Sequence, residues 1–331
     1  MEKIWNYVKK HKWSCLILCI VAVVCGMLLK SSYATLLLCY IGIYGIATTG
    51  LDLLWGYTGQ ISYGHAGFYA TGAYTSALLS TQAGVPPFFS MLIGALFSTV
   101  VGIIIAFPAA KLVKHFLALL TLAFGQIIYM FVNSAQKITN GSAGIRSIPK
   151  MSIFGYVLDT NAKMFFLIAA FLILVLFIKS SVINSRTGRA FIAVRENAHA
   201  ANGIGINPVK YKVMAFALSA MFTGLAGGLY AHLLCFISPD TFQNTQSVIF
   251  MTMLLFGGIG SFYGPLVGSV VIVLLKELLQ VFSTYQQLVY AAFILVVLFL
   301  LPNGIAGVFK VAKEKLGKKK QEGVVGNAEA R

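Results

Sequence analysis

Polar side chains and glycines alternate within one short stretch, residues 59–67, which has the sequence GQISYGHAG and lies between long apolar runs. Hydroxyl, amide and imidazole groups in such a place can bind a polar solute, and glycines can interrupt a helix so that backbone groups face a cavity. The candidates for lining a solute path are Gln60, Ser62, His65, Gly59, Gly64 and Gly67. Two alternatives stay open, because a lone histidine is often hydrogen-bonded for packing alone and glycines also let helices approach closely.

The second candidate site is the long charged loop at 180–212, in which residues 189–202 form a helix-compatible run that Gly203 closes. A short helix on the membrane surface could dock a soluble partner, because small residues permit close approach and charges fix the register. The partner-facing candidates are Glu196, Ala200, Ala201 and Gly203. A solvated connecting loop is the alternative.

Catalytic chemistry has no starting point in this sequence. The chain lacks the phosphate-binding pattern G-x-x-x-x-G-K-[ST], the zinc pattern H-E-x-x-H, a C-x-x-C pair and the nucleophile elbow G-x-S-x-G. Its five cysteines show neither metal-ligand spacing nor a disulfide framework. We therefore expect no catalytic residues, no metal and no cofactor, and any ATP must be bound by another chain.

The composition indicates that lipid is the solvent. Of 331 residues, 58% are hydrophobic and 10% are charged, against about a quarter charged in an ordinary soluble domain. The chain has 25 Lys and Arg against nine Asp and Glu, and the basic residues cluster at the N-terminus, around 186–212 and in the tail 310–331. These clusters flank apolar stretches without interleaved aromatics, so nucleic acid is not an expected partner. Membrane lipid is the expected contact of the basic tail.

Seven apolar runs are long enough to cross a hydrocarbon core of about 30 Å, which takes about 20 residues. They are 14–30, 33–53, 88–107, 115–133, 163–179, 213–234 and 281–301. Two further apolar stretches, 60–80 and 246–279, are broken by glycine, and each could be a full span or a re-entrant pair of half-helices. The sequence predicts an all-α polytopic bundle of about eight to ten spans in a single transmembrane domain, residues 1–331.

The basic clusters also predict the topology, since cytoplasmic loops carry an excess of Lys and Arg. Counting the crossings between them places 1–13, 180–212 and the tail 308–331 on the cytoplasmic side of an inner membrane, with both termini inside. The same count places Lys179 in the cytoplasm, together with the loop that follows it. Asp52 falls near the cytoplasmic end of its run, where we expect its carboxylate to reach water; a proton relay is the minor alternative.

Four stretches taken in order resemble the permease subunits of branched-chain amino acid ABC importers, the Liv type, and are closer to the LivM-like of the two paralogous permeases. The first is 56–66 with 72–74, and the second is 119–126 with 139–149. The third is 188–190 through 195–197, 200–201, 203–204, 212 and 215–216, and the fourth is 257–260 with 264–265 and 268. The resemblance runs from about Tyr33 to Gly307.

This resemblance implies a multi-subunit importer. An extracytoplasmic solute-binding protein would deliver the amino acid, this chain and a second permease subunit would form the path, and two ATP-binding cassette ATPase subunits would drive transport. In such systems a cytoplasmic loop with a Glu-Ala-Ala-like pattern inserts into a groove on the ATPase. The resemblance carries that role to Arg195, Glu196, Ala200, Ala201 and Gly203.

Other functions remain possible at this stage. An ion-driven secondary transporter would need carboxylates buried at mid-membrane, and acidic residues are scarce there. A permease of the same family for urea or a sugar is a second alternative, and a purely structural membrane protein is a third. The mechanism that we predict is alternating access, in which the 189–203 segment is pushed by the ATPases and helices reorient around Gln60, Ser62 and His65.

Overall fold

The computed structural model describes residues 31–280, except 113 and 154, together with 291, 292 and 295. The predicted first span at 14–30, nearly all of the predicted last span at 281–301, the N-terminal segment 1–13 and the tail 308–331 lie outside the described residues.

Regular structure in the described part of the chain is almost entirely helical, which confirms the all-α prediction. In chain order the eleven α-helices are α1 (Ser32–Thr58), α2 (His65–Thr81), α3 (Pro87–Ala109), α4 (Lys114–Ser134), α5 (Gln136–Thr139), α6 (Asn161–Asn184), α7 (Arg186–Glu196), α8 (Ala198–Gly203), α9 (Pro208–Leu234), α10 (Asn244–Gly257) and α11 (Gly264–Leu279). Two short 3-10 helices, Gly141–Ala143 and Pro239–Phe242, and one antiparallel pair of strands, β1 (Ser152–Ile153) and β2 (Tyr156–Val157), complete it.

Five of the described helices, α1, α3, α4, α6 and α9, are long and apolar enough to cross a membrane. They correspond to the five predicted spans at 33–53, 88–107, 115–133, 163–179 and 213–234. Helix α6 runs five residues beyond the predicted boundary, to Asn184. Helix α9 begins earlier than predicted because Pro208 occupies its first turn and Asn207 caps it, accepting a hydrogen bond from the backbone N–H of Lys210 at 3.2 Å.

Both glycine-rich stretches are broken helices. Helix α2 has 17 residues, so it is about 26 Å long at about 1.5 Å per residue, and it follows a non-helical segment at 59–64. The stretch 246–279 is a hairpin of two helices, α10 with 14 residues and α11 with 16. Gly257 packs against the carbonyl of Gly264 and Gly268 against that of Met253, so the two helices run antiparallel.

The hairpin lies along α1. The Tyr33 hydroxyl, at the start of α1, donates a hydrogen bond to Glu277 near the end of α11, and the carbonyl of Pro265 accepts one from Thr48 at 3.3 Å. Helix α11 therefore ends at the Tyr33 end of the bundle, and the tip of the hairpin points toward the opposite end, where α7 and α8 lie. We call that opposite end the α7 end.

The core is organised around α9, which packs against α1, α2 and α3. Small residues let these helices meet: Gly72 of α2 lies directly on the backbone of Gly224 in α9, and Gly94 of α3 on the carbonyl of Gly72. Helix α4 is peripheral by comparison, and large apolar side chains on it, including Leu119 and Ile127, are exposed. In a membrane, that surface contacts lipid or another chain.

The contact between α2 and α9 is tight enough to be tested by adding one methyl group. Gly72→Ala should destabilise the chain by about 1–3 kcal/mol, because the new Cβ would overlap the backbone of Gly224 and backbone cannot rotate away. The matched control is Gly203→Ala, whose Cβ would meet no atom within 4 Å. Thermal unfolding of both variants in detergent, followed by size-exclusion chromatography, measures the difference. Equal thermal stability of the two would show that the helices separate easily.

Candidate functional site

The 59–67 segment begins where α1 ends in a left-handed turn. Gly59 has φ +69°, which only glycine adopts without strain, and its N–H donates to the carbonyl of Trp55 at 3.1 Å. The N–H of Gln60 donates to the carbonyl of Leu54 at 3.2 Å. The chain then runs without helix to His65, the first residue of α2. The predicted break in the helix is therefore present, and its first peptide groups are satisfied within the chain.

His65 joins this segment to α9. Its Nδ1 lies 3.1 Å from Oγ of Ser62 and its Nε2 lies 2.8 Å from Oγ of Ser219, and both His65 and Ser219 are fully buried. A neutral imidazole has one donor and one acceptor nitrogen, so one serine donates to the ring and the other accepts from it. The imidazole edge also faces the ring of Phe68. These contacts are those of a histidine that holds two elements together.

Gln60 has hydrogen-bonding capacity to spare. Its Nε2 donates to Oγ1 of Thr58 at 2.9 Å and to the carbonyl of Lys212 at 3.3 Å. Its Oε1 is buried and has no partner among the described residues. A buried acceptor without a partner costs free energy unless a water or a solute reaches it.

Gly64 and Gly67 allow α4 to pack closely against the 59–67 segment. A Cβ on Gly64 would lie 2.5 Å from the carbonyl oxygen of Thr121, and one on Gly67 would lie 2.9 Å from the ring of Phe124. The structure thus gives both glycines a packing role. Together with the burial of Gln60, Ser62 and His65, this means that the predicted path residues face packed protein in this conformation. Their role in a solute path stays a prediction.

The charged loop contains two helices instead of the single predicted run. Ser185 caps α7, accepting a hydrogen bond from the N–H of Thr187 at 3.1 Å, and Asn197 caps α8, accepting from the N–H groups of His199 and Ala200 at 3.0 Å each. The chain turns at Asn197, so the axes of the two helices point in different directions. The segment outside the long helices is 185–207, narrower than the predicted 180–212.

The two helices sit on the bundle by one apolar face. Phe191 and Val194 of α7 are buried, and so is Ala201 of α8. Ala201 therefore faces the subunit interior and not a partner, which differs from the sequence-based expectation. The remaining predicted docking residues, Glu196, Ala200 and Gly203, are exposed, and Ile192 and Ile204 are exposed beside them.

Arg195 has a second role that the sequence does not reveal. Its Nη1 donates to the carbonyl of Gly56 at 2.5 Å, and its stem packs against Gly59. The side chain is still 46% exposed. Arg195 therefore attaches α7 to the end of α1, directly beside the break at Gly59.

An ion pair that sequence analysis missed lies behind this junction. The Oδ2 of Asp52 is 2.7 Å from Nζ of Lys179, and both side chains are completely buried. The expectations that Asp52 reaches water and that Lys179 lies in the cytoplasmic loop are both wrong. The available signal was that each charge lies within or at the edge of an apolar run, where ionisable side chains pair with one another.

A polar patch on α4 is the other feature that sequence analysis did not single out. Gln126 is exposed on a helix whose other exposed side chains are largely apolar, and its Oε1 accepts a hydrogen bond from Nδ2 of Asn244 at 3.1 Å. Gly125 lies between Asn244 and Gly64. The patch thus lies beside the 59–67 segment, with Gly125 in contact with both.

Among the described residues, no group of three or more His, Cys, Asp or Glu side chains could hold a metal ion. The geometry joins a buried polar segment, a surface helix pair and a polar patch within a helical bundle.

Comparison with known proteins gives one consistent family. The family described as "Branched-chain amino acid transport system / permease component" matches residues 33–301. The high-affinity branched-chain amino acid permease LivM of Salmonella typhimurium is 31% identical over 286 residues, 80% of this chain and 67% of that protein. The permease LivH of Escherichia coli K12 is 25% identical over 296 residues, 82% and 93% of the two chains. The ribose import permease RbsC of Haemophilus influenzae is 27% identical over 244 residues, 70% and 73%. No solved structure gives a significant match.

A double-mutant cycle measures how much the contact between His65 and Ser219 contributes to stability. His65→Leu should cost about 1–3 kcal/mol, because it leaves two buried serine hydroxyls without their ring partner. Adding Ser219→Ala should recover part of that cost, since one of the two hydroxyls that lost the ring as partner is then gone. Thermal unfolding of the two single variants and the double variant gives the coupling between the sites. Strictly additive costs would show that the 2.8 Å contact contributes nothing.

Proposed function

We propose that this chain is one transmembrane permease subunit of an ATP-driven importer. The chain belongs to the family of branched-chain amino acid transport system permeases. The observation that carries the proposal is the exposed helix pair α7–α8, which Arg195 attaches to the end of α1 beside the break at Gly59. A permease whose sequence has no phosphate-binding loop must receive the work of ATP hydrolysis from outside. A surface helix joined to a broken membrane helix is suited to receive it.

Two ATP-binding cassette ATPase subunits are the proposed partners of this helix pair. Its exposed surface combines the apolar side chains of Ile192 and Ile204 with the carboxylate of Glu196, which is 72% exposed. Apolar side chains supply the contact area of such an interface, and a charge at its edge fixes the register. Glu196, Ala200 and Gly203 are the residues that we assign to docking, with Arg195 as the connection to α1.

The membrane orientation follows from this docking. The α7 end of the bundle carries Arg186 and Arg189 and is proposed to face the cytoplasm of an inner-membrane protein, which the positive-inside rule also favours. The Tyr33 end, with the strand pair β1–β2, would face an extracytoplasmic solute-binding protein. Both termini would then be cytoplasmic.

The second permease subunit is proposed to cover the polar patch on α4. An amide at the middle of a membrane helix is costly to expose to lipid, and Gln126 lies on such a surface. Since Gly125 of α4 lies between Asn244 and Gly64, displacement of α4 would open the 59–67 segment toward a path shared by the two permeases. The described conformation, in which Ser62 and His65 are buried, is the closed state of that path.

The proposed solute is a branched-chain or related small amino acid. The similarity to the ribose permease RbsC makes a sugar the alternative within the same mechanism. Uptake of leucine, isoleucine and valine, compared with ribose, by the reconstituted complex decides between them.

An ion-driven carrier is the alternative from another class. It would use a buried carboxylate, and Asp52 is one. Because Lys179 lies 2.7 Å from Asp52, the pair has no net charge with which to attract a cation. This favours the ATP-driven importer.

Docking through α7–α8 is tested by charge reversal. When the chain is purified from its native membrane, two ATPase copies should accompany it, and Glu196→Arg should reduce their recovery by about tenfold, the effect of losing about 1.4 kcal/mol at the interface. The matched control is Asp159→Arg, the same charge change on an exposed residue near the Tyr33 end. A chain that transports solute without ATP and without any ATPase would contradict the proposed function.

Opening of the path is tested by thiol accessibility. In a chain whose five native cysteines are replaced, Ser62→Cys should react with a polar thiol reagent about ten times faster when the ATPases hold ATP than when they are empty, because ATP shifts the chain between a closed and an open state. The control is Ser76→Cys, an equally buried serine that contacts His232 elsewhere in the core. If both thiols change alike, or neither does, the 59–67 segment does not line the path.

A further inference from the structure

The tip of the α10–α11 hairpin, residues 258–263, is held at the α7 end of the bundle by side chains of two other helices. The backbone N–H of Gly260 donates to Oδ1 of Asp52 at 2.7 Å, and its carbonyl accepts from the Tyr57 hydroxyl at 2.9 Å. The Nζ of Lys179 donates to the carbonyl of Ser261 at 3.0 Å and to that of Phe262 at 3.4 Å. Groups from α1 and α6 thus replace the helical hydrogen bonds that the tip lacks.

The ion pair between Asp52 and Lys179 connects these two helices to the tip at the same time. Each charged group uses part of its capacity on the other and part on the backbone of the tip. A buried ion pair is seldom more stabilising than apolar side chains of the same volume. Stability alone therefore does not account for two charges here, whereas fixing a helix break in one position does.

The same tip touches the junction that receives α7. Gly56 lies one turn beyond Asp52 on α1, and a Cβ there would lie 2.8 Å from the backbone nitrogen of Gly260, so the two backbones are in direct contact. The carbonyl of Gly56 is the one that Arg195 binds. Five residues thus meet at this junction: Asp52, Gly56, Lys179, Arg195 and Gly260.

We propose that Asp52 and Lys179 are positioning residues that fasten the hairpin tip to the junction of α1 and α7, so that displacement of α7 by its cytoplasmic partner is transmitted to the hairpin. This rests on the proposed function, because it assumes that a partner displaces α7. The hairpin follows α1 along its length toward the Tyr33 end, so a movement at the tip reaches the far side of the membrane. With the ion pair intact, the tip moves together with α1 and α7; without it, the tip does not follow them.

Four variants separate positioning from simple charge neutralisation. Lys179→Met leaves Asp52 unpaired and removes the bonds to Ser261 and Phe262. Asp52→Asn combined with Lys179→Met removes both charges, so the burial penalty disappears while the bonds from Lys179 stay absent. Lys179→Arg keeps a cation and its donors. Lys150→Met is the control for the same residue change, since the exposed Lys150 also donates to a backbone carbonyl, that of Asp159 at 3.2 Å, but near the Tyr33 end.

The first measurement is the ratio of solute imported to ATP hydrolysed by the complex in liposomes. Lys179→Met and the double variant should both lower this ratio by about tenfold, while the ATPases stay bound and hydrolysis continues. Lys179→Arg and Lys150→Met should stay near the wild-type ratio. Recovery of the ratio in the double variant would overturn the proposal, because it would show that the pair serves only to neutralise buried charge.

The second measurement needs no ATPase and keeps the two proposals distinguishable. Hydrogen–deuterium exchange of the peptide covering residues 254–264 in the purified chain should be faster in the double variant than in the wild type, and unchanged in Lys150→Met. Equal exchange would show that the pair does not hold the tip and would overturn the inference. If exchange is faster but the wild-type complex does not couple import to ATP, the tip is held as described and it is the proposed function that fails.

Discussion

A peptide group inside a membrane must find its hydrogen-bond partner within the protein, and this requirement governs the whole bundle. The long helices meet it internally, but the chain is interrupted after Thr58 and again after Gly257. At the first break the end of α1 accepts the free N–H groups of Gly59 and Gln60. At the second break Asp52 and Lys179 provide the partners. The buried charges thus serve as hydrogen-bond partners for a broken helix.

The two breaks lie at the same end of α1, which explains why so much of the site concentrates there. Gly56 contacts the second break, Gly59 begins the first, and Arg195 touches both residues. Glycine is required at these positions because two backbones and one arginine stem meet within van der Waals distance. The surface helix α7 therefore rests, through Arg195, beside both of these breaks.

Much of this architecture could be predicted from the sequence, because apolar length and glycine punctuation are local properties. The five described spans and the broken character of 60–80 and 246–279 follow from them. The pairing of Asp52 with Lys179 does not, since 127 positions separate the two residues and only the packing of α1 against α6 brings them together. The burial of Ala201 was missed for a related reason: α7 and α8 turn at Asn197, and a single continuous helix would point that residue elsewhere.

The buried state of Gln60, Ser62 and His65 means that a path through this segment requires a movement, and α4 is the peripheral helix packed against the segment. It meets the segment through Gly64 and Gly67, where the contacts are close but small, and much of its remaining surface faces outward. The polar groups on its two sides are unequal: Gln60 keeps a buried acceptor without a partner, and Gln126 keeps an exposed amide on an apolar face. The proposed displacement of α4 would therefore act beside Gln60, whose buried acceptor a water or a solute could satisfy, whereas Gln126 is already bonded to Asn244.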